Sequence, residues 1–243
     1  MNAPESEAEE ARARALEPPH PDVVDESGWE KIAANLKTIG GAVILALIIR
    51  TCLFEAFEIE GPSMEPTLLN GDRVVVAKFL YGLFLPFREQ AEFTWGSPEL
   101  GDVVIIKSPH DGVDIVKRVV ALGGDRIELK GEVVHRNGVA LPRIDRGRCT
   151  TGQGAHQPGC RIYESEIGGR TFETSSATRS RMPQPMVVPE GHVYVLGDHR
   201  DQSNDSRTIG PIPIGRVKGK ALSVYWSNGG NGLRWDRKFT AVR

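Results

Sequence analysis

Glu, Asp, Ala and Pro dominate positions 1–30, and no apolar position recurs there at helical or strand spacing. Such a segment buries too little surface to offset its ordering entropy, so a disordered acidic tail is predicted over 1–34. The pattern then inverts. Residues 38–49 read TIGGAVILALII, with no polar face, and RTCLFEAF follows to Phe57. Crossing the hydrocarbon takes about 20 residues. Counting from Asn35 to Phe54 supplies that length, with Arg50 able to reach the headgroups. A transmembrane anchor is therefore predicted over 35–56. The long acidic segment before it, and the lack of a small-x-small site after it, argue against a cleaved signal peptide. Lys31 and Lys37 precede the apolar run, whereas Glu55, Glu58 and Glu60 follow it. That bias predicts a cytoplasmic N-terminus and an extracytoplasmic remainder.

Beyond Phe57 the period changes from helical to two. Short β-rich runs recur at RVVVAKF (73–79), DVVIIKS (102–108), DIVKRVVAL (114–122), DRIELKGEVVHRNG (125–138), HVYVLGD (192–198) and GKALSVYW (219–226). Gly, Pro, Asn and Asp clusters separate them, and Asn137-Gly138 between alternating runs signals a hairpin. The fold class predicted is mainly β: one N-terminal transmembrane helix, then an exported all-β domain of antiparallel sheets over 57–243. A polar, Gly-rich stretch within it reads as a peripheral β insertion or cap, about 124–190. The run FLYGLFLPF (79–87) is too apolar for a solvated loop. It reads either as a core-covering loop or as a patch that dips into the bilayer surface.

Composition narrows the function classes. A formal charge of -2 and a pI near 6.3 argue against a nucleic-acid partner. The three cysteines, Cys52, Cys149 and Cys160, form no C-x-x-C pair, and the six histidines are scattered, so no metal site is expected. No organic cofactor is called for either. Cys149 and Cys160 flank a Gly/Gln/Pro-rich loop, where a disulfide is expected if the loop lies outside the cytoplasm.

Three stretches carry candidate chemistry. Ser63 sits in GPSM, where Gly61 and Pro62 favour a tight turn that exposes the hydroxyl. Lys117 shares a strand face with Ile115 and Val119. Apolar surroundings strip its hydration and lower its pKa, which would let a neutral amine take a proton from a serine. GDHRDQSNDSR (197–207) packs charges around Ser203 and Ser206 after an apolar strand, as in a rigid hydrogen-bonded loop. Taken singly, each also reads as a linker turn, a snorkelling lysine or a charged surface turn.

In order, GPSMEPTLLNGD, DIVKRVVALGGD and GDHRDQSNDSR resemble the type I signal peptidases, membrane-anchored Ser–Lys endopeptidases, and RTCLFEAFEIEGPSM matches the approach to the first block. The resemblance spans about residues 36–226. It implies Ser63 as nucleophile, Lys117 as general base and Ser203 as the hydroxyl that positions the lysine. It implies Asp205 and Arg207 as a supporting ion pair and Gly197 as a close-packed glycine behind the lysine. Ile59, Met64, Leu68, Ile115 and Val116 match positions lining shallow pockets for an Ala-x-Ala cleavage site. The implied partners are signal-peptide-bearing pre-proteins and membrane lipid. The implied location is the cytoplasmic membrane, single-pass, with the catalytic domain outside. Substrate is expected to bind as an added strand.

Two positions depart from the family pattern. Gly61 stands where many members have an oxyanion-hole serine, and His199, expected to be structural, stands where Asn is usual. Two other readings remain open: a specialised Ser–Lys maturation peptidase for pilus or conjugation proteins, and a non-catalytic membrane-tethered binding domain. The second requires Ser63 and Lys117 to lie out of reach of each other.

Overall fold

The computed structural model describes residues 26–48, 53–84, 88–178, 184–230 and 232–243. Most of the expected acidic tail (1–25), Arg50 and residues 85–87 of the FLYGLFLPF run lie outside them. The chain divides into two units, Met1–Leu47 and Ile48–Arg243.

Helix α1 (Glu26–Ile48) begins inside the segment expected to be tail. Its side chains Trp29, Ile32, Leu36, Val43 and Leu45 are exposed. Among the described residues no helix is long and apolar enough to cross a membrane. The first turns of α1 run through a sequence that carries Glu26, Glu30, Lys31 and Lys37, so only 38–48 is continuously apolar within it. The span expected over 35–56 also stops early. Residues 54–58 read FEAFE and form a strand, because Glu55 and Glu58 interrupt the apolar run and β2 supplies a partner.

The second unit is built of antiparallel strands: β1 (Phe54–Glu58), β2 (Asp72–Ala77), β3 (Gly82–Leu83), β4 (Phe93–Thr94), β5 (Val103–Lys107) and β6 (Asp114–Leu122). Next come β7 (Arg126–Lys130), β8 (Val133–Arg136) and β9 (Val139–Ala140), then β10 (Ile144–Arg148), β11 (Arg161–Ile167) and β12 (Arg170–Ser176). The chain closes with β13 (Met186–Val187), β14 (His192–Leu196), a short helix α2 (Ser206–Ile209), β15 (Ile212–Pro213), β16 (Val217–Gly229), β17 (Gly232–Leu233) and β18 (Thr240–Ala241). The main sheet runs β1-β2-β16-β5-β6-β14-β15, with β17 and β18 also paired to β16. This is the mainly β, antiparallel architecture that the period-two runs predict. The Asn137-Gly138 turn joins β8 to β9 with φ of 53° and 82°, the left-handed pair a two-residue hairpin needs.

Three apolar clusters hold the sheets. Ile59, Met64, Leu68, Val74, Val76, Val103, Ile105, Ala221 and Val224 form one. Val104, Ile106, Val119, Val193, Val195 and Ile212 belong to a second, on the opposite pleat of the same strands. The third joins Ile167 and Phe172 to Val120, Tyr194 and Leu196. The three-stranded β10–β12 sheet is therefore tied to the main sheet through its own apolar residues, more firmly than a polar cap would be. Tyr81 and Phe84 of the FLYGLFLPF run are buried, and the Tyr81 hydroxyl donates to Asp102 Oδ2 at 2.7 Å. Phe79 and its edge-on partner Phe54 stay exposed, as do Phe93 and Trp95.

One register detail positions the site. β6 lies between β5 and β14, but β14 ends with Leu196 opposite Arg118. Residues 114–117 therefore pair with β5 on one side only among the described residues. Among the described residues no strand pairs with their other main-chain edge, where the Val116 carbonyl takes only the Lys117 side chain.

Candidate active site

The nucleophile candidate follows from local backbone chemistry. Past β1, the Ile59 N–H donates to the Asp72 carbonyl at 2.7 Å, which returns the chain toward β2. Gly61 then takes a φ of +80°, and its N–H donates to Asn70 Oδ1 at 3.0 Å. A side chain at Gly61 would meet open space, so the backbone angle and not crowding makes glycine suitable there. The Glu65 N–H closes a tight turn on the Pro62 carbonyl at 3.0 Å, and the His199 N–H holds the Ser63 carbonyl at 3.1 Å. Ser63 is left partly exposed at the tip.

Lys117 reaches this turn from β6. Its Nζ donates to Ser63 Oγ at 2.9 Å and to the Val116 carbonyl at 2.7 Å. The residue is only 3% exposed. Burial drives its pKa down to about 8, against an opposing pull from the nearby carboxylates of Asp205 and Asp198. Serine and lysine are thus within hydrogen-bond reach, and the amine is easily freed of its proton. A binding domain with the two groups far apart does not fit this geometry.

The charged loop after β14 braces the pair. Asp205 is fully buried, accepts the Gly197 N–H at 2.9 Å and caps α2 at the Arg207 N–H. Its carboxylate meets Arg207 twice, through Nε and Nη2, both at 2.7 Å. Gly197 is tightly packed: a Cβ there would overlap Ser203 and the Ser63 carbonyl oxygen. Ser203 therefore lies beside the nucleophile turn. Its Oγ, however, is buried without a hydrogen-bond partner among the described residues, and Lys117 spends its hydrogen bonds elsewhere.

Of the five pocket candidates, the structure gathers four. Ile59, Met64, Leu68 and Val116 share one cluster with Phe57. Ile115 packs against the other cluster, beside Val104 and Val193. Strand alternation is the reason, because neighbours in β6 face opposite ways.

The comparisons bear on this constellation. The family described as signal peptidase, peptidase S26, matches residues 32–226. The chain belongs to the signal peptidase family. A signal peptidase I of Pseudomonas aeruginosa is 30% identical, covering 86% of this chain and 78% of the relative. One from Rickettsia canadensis is 31% identical over 80% of each chain. A solved signal peptidase I from Enterococcus faecalis V583 overlaps 52% of this chain and 98% of its own, at 24% identity and a TM-score of 0.33, too low to bear on the fold. As a signal peptidase the chain is a serine endopeptidase.

Several groups of this signal peptidase have no counterpart in the sequence reading. Arg118, beside Lys117, is fully buried and donates through Nε and Nη2 to Asp198, at 2.8 and 2.7 Å. Thr67 adds its hydroxyl to the same carboxylate at 2.6 Å. Both charges lie inside recognised blocks, but only the fold pairs residues 80 positions apart. Glu65 likewise meets Gln153 and Gly154, and His199 meets Gln157, only through long-range contacts. The density of charge in the third block was the available signal for Asp198.

Gly197→Ala is expected to lower kcat/KM by roughly tenfold to a hundredfold, because its Cβ would push on the Ser63 turn. Steady-state cleavage rates check this, and unchanged activity would show that the glycine merely fills space.

Proposed function

We propose that the protein is a membrane-bound serine endopeptidase that removes N-terminal signal peptides from exported pre-proteins, cutting after a small residue of an Ala-x-Ala site. The observation that carries the reading is the 2.9 Å contact between Ser63 Oγ and a buried Lys117 amine. The neutral amine takes the Ser63 proton as Oγ attacks the scissile carbonyl. The resulting oxyanion faces the Ser63 N–H. Lys117 then returns the proton to the leaving amine, and the N-terminal part of the substrate remains as an ester on Ser63. A water deprotonated by the same lysine attacks that ester and regenerates the serine. No step calls for a metal or an organic cofactor.

Substrate docks as an extended strand on the edge of 114–117 that no described strand pairs. Its small side chain points at the apolar wall of Ile59, Met64, Leu68 and Val116. Asp205, Arg207 and Gly197 keep the lysine and the turn in place, and Ser203 lines the same spot. Ser203 orients the lysine only after a change of rotamer or hydrogen-bond partner from the arrangement described above.

The membrane reading rests on three features. The apolar run 38–49 is flanked by Lys31 and Lys37 on one side and Glu55 and Glu58 on the other. Phe54, Phe79, Phe93 and Trp95 are exposed just past it, as suits a surface that meets lipid. Cys149 and Cys160 form a disulfide, which belongs in an oxidising compartment. These features support a reading with the N-terminus in the cytoplasm and the catalytic domain outside, on a single-pass anchor in the cytoplasmic membrane.

Purified protein in lipid and detergent is expected to cut a pre-protein once, directly after the second alanine of its Ala-x-Ala site. Replacing that alanine by leucine should reduce kcat/KM by about a hundredfold or more. N-terminal sequencing of the product identifies the bond. Cutting at unrelated bonds, or indifference to the leucine, would refute the assignment, and a panel of ordinary pre-proteins distinguishes a general enzyme from one with a single dedicated substrate.

A further inference from the structure

The loop 149–160 reaches the nucleophile turn through one carboxylate. Glu65 lies two residues after Ser63 and is 2% exposed. Its Oε1 accepts the Gln153 N–H at 3.0 Å, and its Oε2 accepts the Gly154 N–H at 3.1 Å. Those amides open the 3-10 turn Gln153–His156. The preceding Gly152 has a φ of +64°, and a Cβ there would run into the Glu65 carboxylate. The approach is therefore as close as a backbone allows.

The Cys149–Cys160 disulfide joins the ends of this loop, and the Cys149 N–H donates to the Cys160 carbonyl at 3.1 Å. The bridge sits directly against Gly154: a Cβ there would stand 3.2 Å from Cys160 Sγ and 3.5 Å from Cys149 Sγ. The loop also grips the other flank of the nucleophile. Gln157 Oε1 is 3.1 Å from His199 Nε2, and its amide donates to Asp201 Oδ2 at 2.9 Å. His199 is the residue whose N–H holds the Ser63 carbonyl. The Glu65 carbonyl is fixed in turn by the Ser175 hydroxyl at 3.0 Å. None of these groups has a part in the proton transfers.

We propose that Glu65 is a positioning residue for Ser63 and that the disulfide-closed loop 149–160 is the clamp that holds it, so that peptidase activity depends on the oxidation state of Cys149 and Cys160. A buried carboxylate is stable only while its hydrogen bonds are made. With the loop unclosed, the two amides leave Glu65, and the carboxylate must turn outward to find water. A cavity of about 530 Å³, lined by Glu65, Asn70, Gln153 and His156, lies open for that turn. Residues 63–66 follow, and Ser63 Oγ leaves the lysine. Reduction by a dithiol breaks the Sγ–Sγ bond and places two electrons and two protons on the cysteines as two thiols, while the dithiol closes to its own disulfide. The clamp thus forms only where thiols oxidise, which under the function proposed above is the side where a cleavage site emerges.

The test uses the full-length protein in lipid and detergent: wild type, Glu65→Ala, Glu65→Gln and the Cys149→Ser/Cys160→Ser double variant, each before and after dithiothreitol. Reduced wild type, the double variant and Glu65→Ala should lose kcat by about tenfold to a hundredfold, with KM and the acid limb of the pH profile unchanged. Glu65→Gln, which keeps one acceptor oxygen, should fall between. Dithiothreitol should add nothing further to Glu65→Ala, and amide exchange at Gln153 and Gly154 should quicken in both. An unchanged kcat on reduction, or losses that multiply when reduction and Glu65→Ala are combined, overturns the clamp. If Glu65→Ala does not fold, wild type under reduction and Glu65→Gln carry the same decision. The exchange readout needs no activity. A wild type that cleaves no pre-protein but shows the exchange change would contradict the proposed function and leave the clamp standing.

Discussion

Lys117→Met should cleave no detectable pre-protein and yet unfold at a higher temperature than the wild type at pH 7. The loss of activity follows from the geometry. With the amine gone, no other described side chain hydrogen-bonds Ser63 Oγ to take its proton, and the expected fall is on the order of 10⁴-fold or more, matched by Ser63→Ala. The gain in stability follows from linkage. Folding lowers the lysine pKa from 10.5 to about 8, so the unfolded chain binds more protons between those values. Stability therefore rises with pH through that window, and the full penalty is present below about pH 8. That depression corresponds to roughly 3 kcal/mol, from which the lost hydrogen bonds to Ser63 and Val116 must be subtracted, leaving a net gain of about 1–2 kcal/mol. Methionine fills a similar volume without a charge. The difference in melting temperature should shrink as the pH approaches 10.5, the ordinary value for a lysine. A Lys117→Met protein that is inactive but less stable at every pH would mean that the lysine is a structural cation instead of a desolvated base.

Asp198→Ala should be the most destabilising single substitution near the site. Asp198 and Arg118 are each fully buried, and the carboxylate takes two guanidinium bonds and the Thr67 hydroxyl. The guanidinium also donates to the Gly101 carbonyl at 2.9 Å and lies 4.1 Å over the Phe172 ring. Removing the aspartate leaves an uncompensated charge in the interior, at a cost of about 3–5 kcal/mol, or on the order of 10 °C in Tm. Removing both charges is milder. An Arg118→Met/Asp198→Leu variant should regain much of the loss, because the desolvation cost disappears along with the attraction. Denaturant unfolding of Arg118→Met, Asp198→Leu and the double variant completes the cycle. An Asp198→Ala cost below about 1 kcal/mol would show that water reaches Arg118.

Much of this fold was legible because strands write their period into the sequence. DIVKRVVAL forms β6 from Asp114 to Leu122, and the Asn137-Gly138 turn has both of its residues at positive φ. Ser63 and Lys117 could be named because their blocks, taken in order, resemble those of the type I signal peptidases, whereas each alone also reads as a linker turn or a snorkelling lysine. Their 2.9 Å contact could not be read, since it depends on how β6 and the 59–72 turn meet in three dimensions. Ile115 and Val116 both match pocket positions of the family, and the fold packs them against different clusters because adjacent strand residues face apart. The apolar run hid the start of β1, where Phe54 and Phe57 continue the hydrophobic texture while Glu55 and Glu58 already follow strand logic. Glu65 is a single polar residue before a proline, with no local pattern to mark it. Its importance arises from amides 88 and 89 positions away, and no local pattern encodes a contact of that separation.

Catalysis depends most directly on the protonation state of Lys117, and the pH dependence of kcat/KM for wild-type cleavage of one pre-protein reads it. Activity should climb tenfold per pH unit from the acid side and level off near pH 8, where the buried amine loses its proton. A profile that is flat between about pH 5 and 9 would contradict a neutral-lysine base.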